Sequence, residues 1–412
     1  MFAPGSRPGC HGAERVCSYV DHMILEFSSR VAVSAGVLCA TGLLTLMPAA
    51  AAGRGRAEPS PPAGPRAAAP HPLLLHRPGV HVRPRTGAPR VPRVSALSWL
   101  VADARTGVVL AAYNAHRRLP PASTLKTLFA VTVMPELPAG ARHTVREDEL
   151  QGIGEGSSLV GITEGRTYRV ADLWRGVFLN SGNDAVHVLA ELGGGWRTTA
   201  RRMQAKARSL GALDTRVVSP DGYDTPGQVS SAFDLAVFGR VGLRDPAFAQ
   251  YCATVEARFP AGGGWSYPIR NTNRLLSGAP GVKPYRGLIG IKNGYTTHAG
   301  NTLVAAARRD GRTLVVTVMN PQEGGGSTVY EEARSLLDWG FGAAGRVDAV
   351  GSLDAWRPAP SPSAKTPAAA AAVPEEPGAG WTEAGLIAGA TGLGVTIVVL
   401  VLRLPVRGSG RS

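Results

Sequence analysis

Three short runs in this sequence combine a nucleophile or a charge with small polar neighbours. The first is Ser123-Thr-Leu-Lys126. On a helix, positions i and i+3 share a face, so the ammonium of Lys126 can reach the hydroxyl of Ser123. Burial lowers a lysine pKa, and the positive end of a helix dipole acts in the same direction. A neutral lysine can then take the serine proton and make the oxygen a nucleophile. By itself an SxxK pair is a weak signal, because a serine beside a solvated surface lysine gives the same letters. The choice of cation strengthens it. Only 5 of the 44 basic residues are lysine, yet lysine stands here, where arginine would fail because it does not give up its proton.

The second run, Ser181-Gly-Asn183, reads equally well as a turn between helices, since all three residue types favour turns. The third, Lys292-Asn-Gly294, closes an apolar run, and its glycine would let a ligand approach the backbone; an ordinary edge strand with a solvated lysine is the plainer reading. His187 follows Asn183 by four positions and reads as a packing histidine, while His298 reads as a loop residue. No HExxH and no Cys/His ligand spacing occurs, so neither a metal nor a cofactor is expected. No GxSxG supports a Ser–His–Asp triad. Cys252 is the one cysteine of residues 94–346, which excludes an internal disulfide there.

The elements that must position these runs follow from period and punctuation. Ser98–Asn114 holds two β-rich runs around Asp103-Ala-Arg-Thr-Gly107, a hairpin signal. Prolines 120 and 121 precede an apolar run of helix length, Thr124–Val133. Residues 170–192 read as two helices that meet at Asn180-Ser-Gly-Asn183, and helical pattern continues over Thr199–Leu210. Strands return at Leu288–Ile291, Asn301–Ala307 and Thr313–Met319, the last after a turn at Asp310-Gly311, and a helix over Val329–Trp339 closes the domain. Strands at both ends with helices between them imply an α+β (α/β) domain whose sheet joins distant segments.

Taken in order, the three runs are far more specific than any one alone. SxxK is followed by SxN 55 to 57 residues after Lys126, and then by KxG a further 109 along. This resembles the active-site triplet of penicillin-binding proteins and serine β-lactamases. The surroundings resemble the low-molecular-mass serine D-alanyl-D-alanine carboxypeptidases: Pro121-Ala-Ser-Thr-Leu-Lys126, Ser181-Gly-Asn-Asp-Ala185, Met203–Gly211 with Asp221-Gly222, Ser230–Asp234, Asn271-Thr-Asn273, Gly290–Gly300 and Leu336–Phe341. The likeness covers about residues 95–342. It implies the penicillin-recognising serine transferase/β-lactamase-like fold, an antiparallel sheet covered by helices plus a helical lobe. It also implies hydrolysis of the terminal D-Ala of peptidoglycan stem pentapeptides, with β-lactams as covalent inhibitors. By position, Ser123 would be acylated and Lys126 would be its base. Ser181 and Asn183 would relay protons and hold the substrate amide, and Lys292 would supply charge for the substrate carboxylate. Asn293, Gly294, Tyr295 and Thr296 would line the substrate strand, with the N–H groups of Ser123 and Tyr295 as oxyanion hole.

Two departures stand out. The family usually has Thr where Asn293 stands, and it often carries an arginine some residues before its closing helix segment. Gly324–Glu332 contains none, and Arg334 sits close to the apolar run of that helix, which would leave the carboxylate to Lys292 and Thr296. A β-lactamase-like hydrolase would need a deacylating carboxylate in an ExxLN context, which is absent. A catalytically silent wall-binding or morphogenetic protein on the same scaffold is the other alternative, and the intact Ser123/Lys126 pair speaks against it.

Outside this region composition changes. Residues 1–52 read as a leader, in which Val31–Met47 runs into Pro48 and four alanines suited to signal peptidase, and Met23 is an alternative start. Residues 53–93 and 347–383 read as Pro/Ala-rich linkers around a catalytic domain of 94–346. Ala384–Leu402 is free of charge and is followed by Arg403, Arg407 and Arg411. It reads as a membrane helix with a cytoplasmic tail of 403–412, which puts the catalytic domain outside the cell membrane. Half of the formal charge of +14 lies in residues 1–93, where 11 Arg stand against Glu14, Asp21, Glu26 and Glu58. Basic linkers beside a membrane meet anionic lipid or wall polymer rather than a specific nucleic-acid site. The expected partners are stem peptides and the membrane, not nucleic acid or a second subunit, so a monomer is expected.

Overall fold

The computed structural model describes residues 73–278 and 281–354. In chain order its elements are β1 (Val80–Pro84), β2 (Ala96–Asp103), β3 (Val108–Tyr113), α1 (Lys126–Val133), β4 (Arg142–Thr144), β5 (Thr167–Arg169), α2 (Val170–Leu179), α3 (Asn183–Leu192), α4 (Trp196–Ser209), α5 (Ala232–Gly242), α6 (Pro246–Ala253), β6 (Glu256–Gly262), β7 (Trp265–Arg270), α7 (Arg274–Ser277), β8 (Leu288–Thr296), β9 (Gly300–Arg309), β10 (Arg312–Pro321), α8 (Thr328–Ala343), β11 (Val347–Asp348) and β12 (Gly351–Ser352). The main sheet is antiparallel in the order β11-β1-β3-β2-β10-β9-β8, with β12 paired to β3. β4–β5 and β6–β7 form two separate two-stranded ribbons.

Alternation along the central strands explains why they read as unbroken apolar runs. Leu303, Ala305 and Ala307 of β9 and Leu314, Val316 and Val318 of β10 pack with Leu336 and Leu337 of α8. Their neighbours Val304, Ala306 and Val315 face the opposite core, which holds α1, α2, α3 and α5. Both faces are covered, so both sets of residues must be apolar. On each face one covering helix brings a glycine to the sheet. A Cβ on Gly239 of α5 would lie 2.9 Å from side-chain carbons of Ile291 and Val304, and one on Gly340 of α8 would lie 2.8 Å from Leu314.

The local signals are used as their chemistry suggests. Asp103 Oδ1 accepts the N–H groups of Arg105 and Thr106 and so closes the β2–β3 turn. Ser231 caps α5 through the N–H of Asp234, and Asp245 with Pro246 starts α6. The break between α2 and α3 falls at 180–182, where the sequence places it.

The body extends beyond both expected boundaries. Residues 73–93 are not a free linker: β1 pairs with β3 and β11, Ala88, Val91 and Val94 pack on the α8 core, and Trp339 Nε1 donates to the carbonyl of Pro89. At the other end, 347–354 adds β11 and β12 and buries Val350 and Leu353. Such segments are held by ladder hydrogen bonds at a sheet margin, so Pro- and Arg-rich sequence can form them without an apolar stripe. The leader, the 384–402 segment and the tail lie outside the described residues. Among the described residues no helix is long and apolar enough to cross a membrane.

The glycine contacts generate a stability test. Gly239→Val should force α5 off the sheet and lower stability by about 1–3 kcal/mol, the usual scale of overpacking. Gly325→Ala, in open space, should stay within about 0.5 kcal/mol of wild type. Thermal melts of the two variants check this; equal melting points would show that the close contact carries no stability.

Candidate active site

The nucleophile run begins on a 3-10 turn, Ala122–Leu125, that passes into α1 at Lys126. At three residues per turn, positions i and i+3 eclipse, so the two side chains stack more directly than on an α-helix. Lys126 Nζ donates to Ser123 Oγ at 2.7 Å. Lys126 is only 1% exposed. Burial pushes its pKa down to about 8, against the upward pull of the Asp221 and Asp184 carboxylates.

This turn is held under strain from two sides. Ala122 has φ 50°, a left-handed conformation that costs a non-glycine residue about 1–3 kcal/mol. The Thr302 hydroxyl on β9 donates to the carbonyl of Pro121 at 3.0 Å, and the Thr124 hydroxyl donates to the same oxygen. Gly222 (φ +82°) presses on the turn so closely that a Cβ there would lie 2.1 Å from the Ala122 carbonyl oxygen. From the other side comes β8: a Cβ on Gly294 would lie 2.6 Å from the Ser123 nitrogen and 2.9 Å from Thr302 Oγ1. Glycine at 294 is therefore a requirement of close backbone approach, and at 222 of both close approach and a left-handed backbone.

The second run joins the same centre. Ser181 is buried with φ 58°, and Asn183 is the first residue of α3. Asn183 Nδ2 donates to Ser157 Oγ at 2.9 Å and to Asp221 Oδ2 at 3.1 Å; because a carboxylate only accepts, Asp221 fixes which way the amide faces. Asp221 also accepts from the Ser219 hydroxyl and the Tyr223 N–H. Asp184 accepts the N–H groups of Val160, Gly161 and Ile162 at 3.0, 2.8 and 2.9 Å, pinning that segment over the start of α3.

On β8, Lys292 is buried and its Nζ donates to the Asn293 carbonyl at 2.7 Å. Burial pushes its pKa well below the ordinary lysine value, and Lys126 adds to the shift. Asn293 Oδ1 accepts from the Thr272 hydroxyl at 3.1 Å. Tyr295 is 67% exposed and, with Asn293 and Gly294, borders a cleft of about 670 Å³. Thr296 ends the strand, where its Oγ1 accepts the N–H of Ala299 and closes the β8–β9 turn. A second cleft of about 350 Å³, bordered by Pro120, Pro121, Tyr223, Asp224 and His298, adjoins the turn from the Gly222 side.

Several expectations meet their geometry here. His187 packs against Trp196 with ring centroids 4.0 Å apart and the planes tilted by 37°, and burial lowers its pKa, as suits a packing residue. His298 is exposed, with Nδ1 3.5 Å from Asp224. The Arg334 guanidinium is occupied elsewhere, donating to the Lys283 carbonyl and lying over the Tyr285 ring. Four residues had drawn no functional reading from the sequence: Asp184, Asp221, Arg274 and Thr302. The two aspartates had a readable signal, one in the first turn of a helix and one in an Asp-Gly pair. Thr302 lies within an apolar strand run, and nothing local marks it. Among the described residues no cluster of His, Cys, Asp or Glu could hold a metal ion.

A stacked Ser–Lys pair between a helical lobe and the edge of an antiparallel sheet defines the penicillin-recognising serine hydrolases. Residues 85–323 match the D-alanyl-D-alanine carboxypeptidase family, and the chain belongs to it as a serine-type D-alanyl-D-alanine carboxypeptidase. It is 40% identical over 275 residues to the D-alanyl-D-alanine carboxypeptidase DacB2 of Mycobacterium tuberculosis, covering 66% of this chain and 90% of that protein. It is 34% identical over 266 residues to DacD of Escherichia coli, of the same name, covering 61% of this chain and 65% of that one. A crystal structure of a D-alanyl-D-alanine carboxypeptidase from M. tuberculosis superposes with a TM-score of 0.60 at 38% identity, covering 66% of this chain and 100% of the other.

Gly294→Ala tests whether β8 must lie against the nucleophile turn. The added carbon meets backbone and cannot be accommodated by a side-chain rotation. Acylation of Ser123 by a fluorescent penicillin should fall by about 10²-fold, the scale of losing one preorganised donor, in a protein that loses about 1–3 kcal/mol to overpacking but is still folded at the assay temperature by thermal melt. Unchanged labelling would show that the close contact is irrelevant to reaction.

Proposed function

We propose that Ser123 is the nucleophile and Lys126 its base in removal of the terminal D-Ala from stem pentapeptides. The observation that carries this reading is the 2.7 Å contact between a buried lysine, its pKa lowered to about 8, and a serine hydroxyl. Neutral Lys126 takes the proton from Ser123 Oγ as that oxygen bonds to the carbonyl carbon of the penultimate D-Ala. Negative charge on the carbonyl oxygen is met by the N–H groups of Ser123 and Tyr295. The peptide C–N bond then breaks, the departing amine takes a proton relayed through Lys126 and Ser181, and an ester remains on Ser123. Water hydrolyses it, returning the serine proton. A β-lactam acylates Ser123 in the same way: its amide C–N bond breaks, and the departing nitrogen stays tethered to the acyl group through the rest of the opened ring.

Asn183 supports the relay by donating to Asp221, whose carboxylate acts on the Lys126 charge. We also place the domain outside the cytoplasm as a monomer, anchored by 384–402; the uncharged segment and the arginines behind it support this.

Acylation should depend on pH with a definite sign. Because the Lys126 pKa lies near 8, about a tenth of the lysine is neutral at pH 7. The second-order acylation rate should rise about tenfold per pH unit below 7, following the neutral fraction, and level off above about 8 to 9. Lys126→Arg keeps the charge but cannot accept a proton, so the rate should fall about 10²-fold or more with folding intact by thermal melt. A flat profile, or near-wild-type labelling of Lys126→Arg, would refute the base assignment, and absence of any labelling of wild type would favour a silent scaffold.

A further inference from the structure

The substrate's C-terminal carboxylate is ionised at neutral pH and needs a cation in the site. Neither lysine of the motifs suits that task. Lys126 is committed to Ser123 Oγ, and Lys292 is buried with its Nζ on the Asn293 carbonyl. Arg334, the arginine nearest the family's usual position, is held by the Lys283 carbonyl.

We propose that Arg274, at the start of α7, is the carboxylate anchor of this enzyme; the proposal rests on the functional reading above and names the residue that selects free C-termini. Arg274 is the one charged side chain among the described residues lining the 670 Å³ cleft, whose floor is Asn293 and Gly294. Gly294 in turn touches the nucleophile turn, so the cleft opens beside Ser123. No carboxylate among the described residues pairs with the Arg274 guanidinium. It lies 5.8 Å over the Tyr330 ring, a cation–π contact that orients the group without neutralising its charge. Tyr330 itself is fixed, its hydroxyl donating to the Thr272 carbonyl at 3.3 Å. An arginine there keeps its charge where two buried lysines are driven toward neutrality, and its planar fork matches a carboxylate bidentately. The anchor thus comes from Asn273-Arg274, whose asparagine caps α7 through the Leu275 N–H, and not from the closing helix.

The test compares two peptides, one ending in D-Ala-D-Ala with a free carboxylate and the same peptide as its C-terminal amide. Wild type should prefer the acid strongly. In Arg274→Gln, kcat/KM for the acid should fall about 10²-fold while that for the amide stays within about threefold, so that discrimination collapses. Arg274→Lys, which keeps charge but not the fork, should fall between the two. A thermal melt and the retained turnover of the amide peptide establish that the variants are folded with a reactive Ser123. An Arg274→Gln enzyme that keeps the wild-type acid-to-amide ratio overturns the anchor and leaves the functional reading standing, as does a wild type that cleaves both peptides equally. A wild type that cleaves neither peptide overturns the functional reading and the anchor with it.

Discussion

A lysine removed from water and set 2.7 Å from a serine hydroxyl is the interaction on which the rest of this molecule depends. Full burial can lower a lysine pKa by about 3 to 5 units. Lys126 falls less than that, from 10.5 to about 8, because Asp221 and Asp184 stabilise its charged form from nearby. The balance is useful only in this range. Without burial the amine would hold its proton at neutral pH; without the carboxylates it would be a weaker base. The two aspartates earn no direct contact with the serine, yet each is tied into the surrounding structure, Asp221 through Asn183 and Asp184 through the 160–162 segment. The second motif thereby sets the electrostatics of the first.

Positioning comes from backbone approach more than from side-chain packing. Gly222 and Gly294 clasp the nucleophile turn from either side, and Thr302 ties Pro121 to the sheet. A left-handed Ala122 persists because these contacts determine its place more strongly than its own steric preference does. Aromatic side chains such as Phe129, Trp174 and Phe178 pack through the helical lobe. The turn between that lobe and the sheet has little freedom left, which suits a nucleophile whose reacting distance must be fixed in advance.

The distribution of cations follows the same physics. At the site the chain sets buried lysines; elsewhere most of its basic residues are arginine, which keeps its charge beside solvent. Lys292 belongs with the first group. Burial lowers its pKa and the charge of Lys126 lowers it further, so a protonated Lys126 disfavours charge on Lys292. An anion arriving at the cleft would change that balance, coupling substrate binding to the protonation state of the pair.

Much of this was legible in the linear sequence. The meeting of Ser123 and Lys126 was readable because it needs only local spacing, and the structure sets the two side chains 2.7 Å apart. The helix break at Ser181, the central strands and the closing helix followed from period and punctuation, since these express burial on one or two faces. The same reasoning failed at the margins. β1, β11 and β12 are held by ladder hydrogen bonds and carry no apolar period, so Pro- and Arg-rich sequence concealed them. It also could not show that Thr302 would reach Pro121, or that Arg274 and Asn293 would border one cleft. The first pair is 181 residues apart and the second 19, and the meeting of each depends on how the strands pair and pack. Local residue type and spacing determined what chemistry the chain could perform; sheet order and the packing of helices on it decided which distant residues share the site, because those contacts have no signature until the chain is folded.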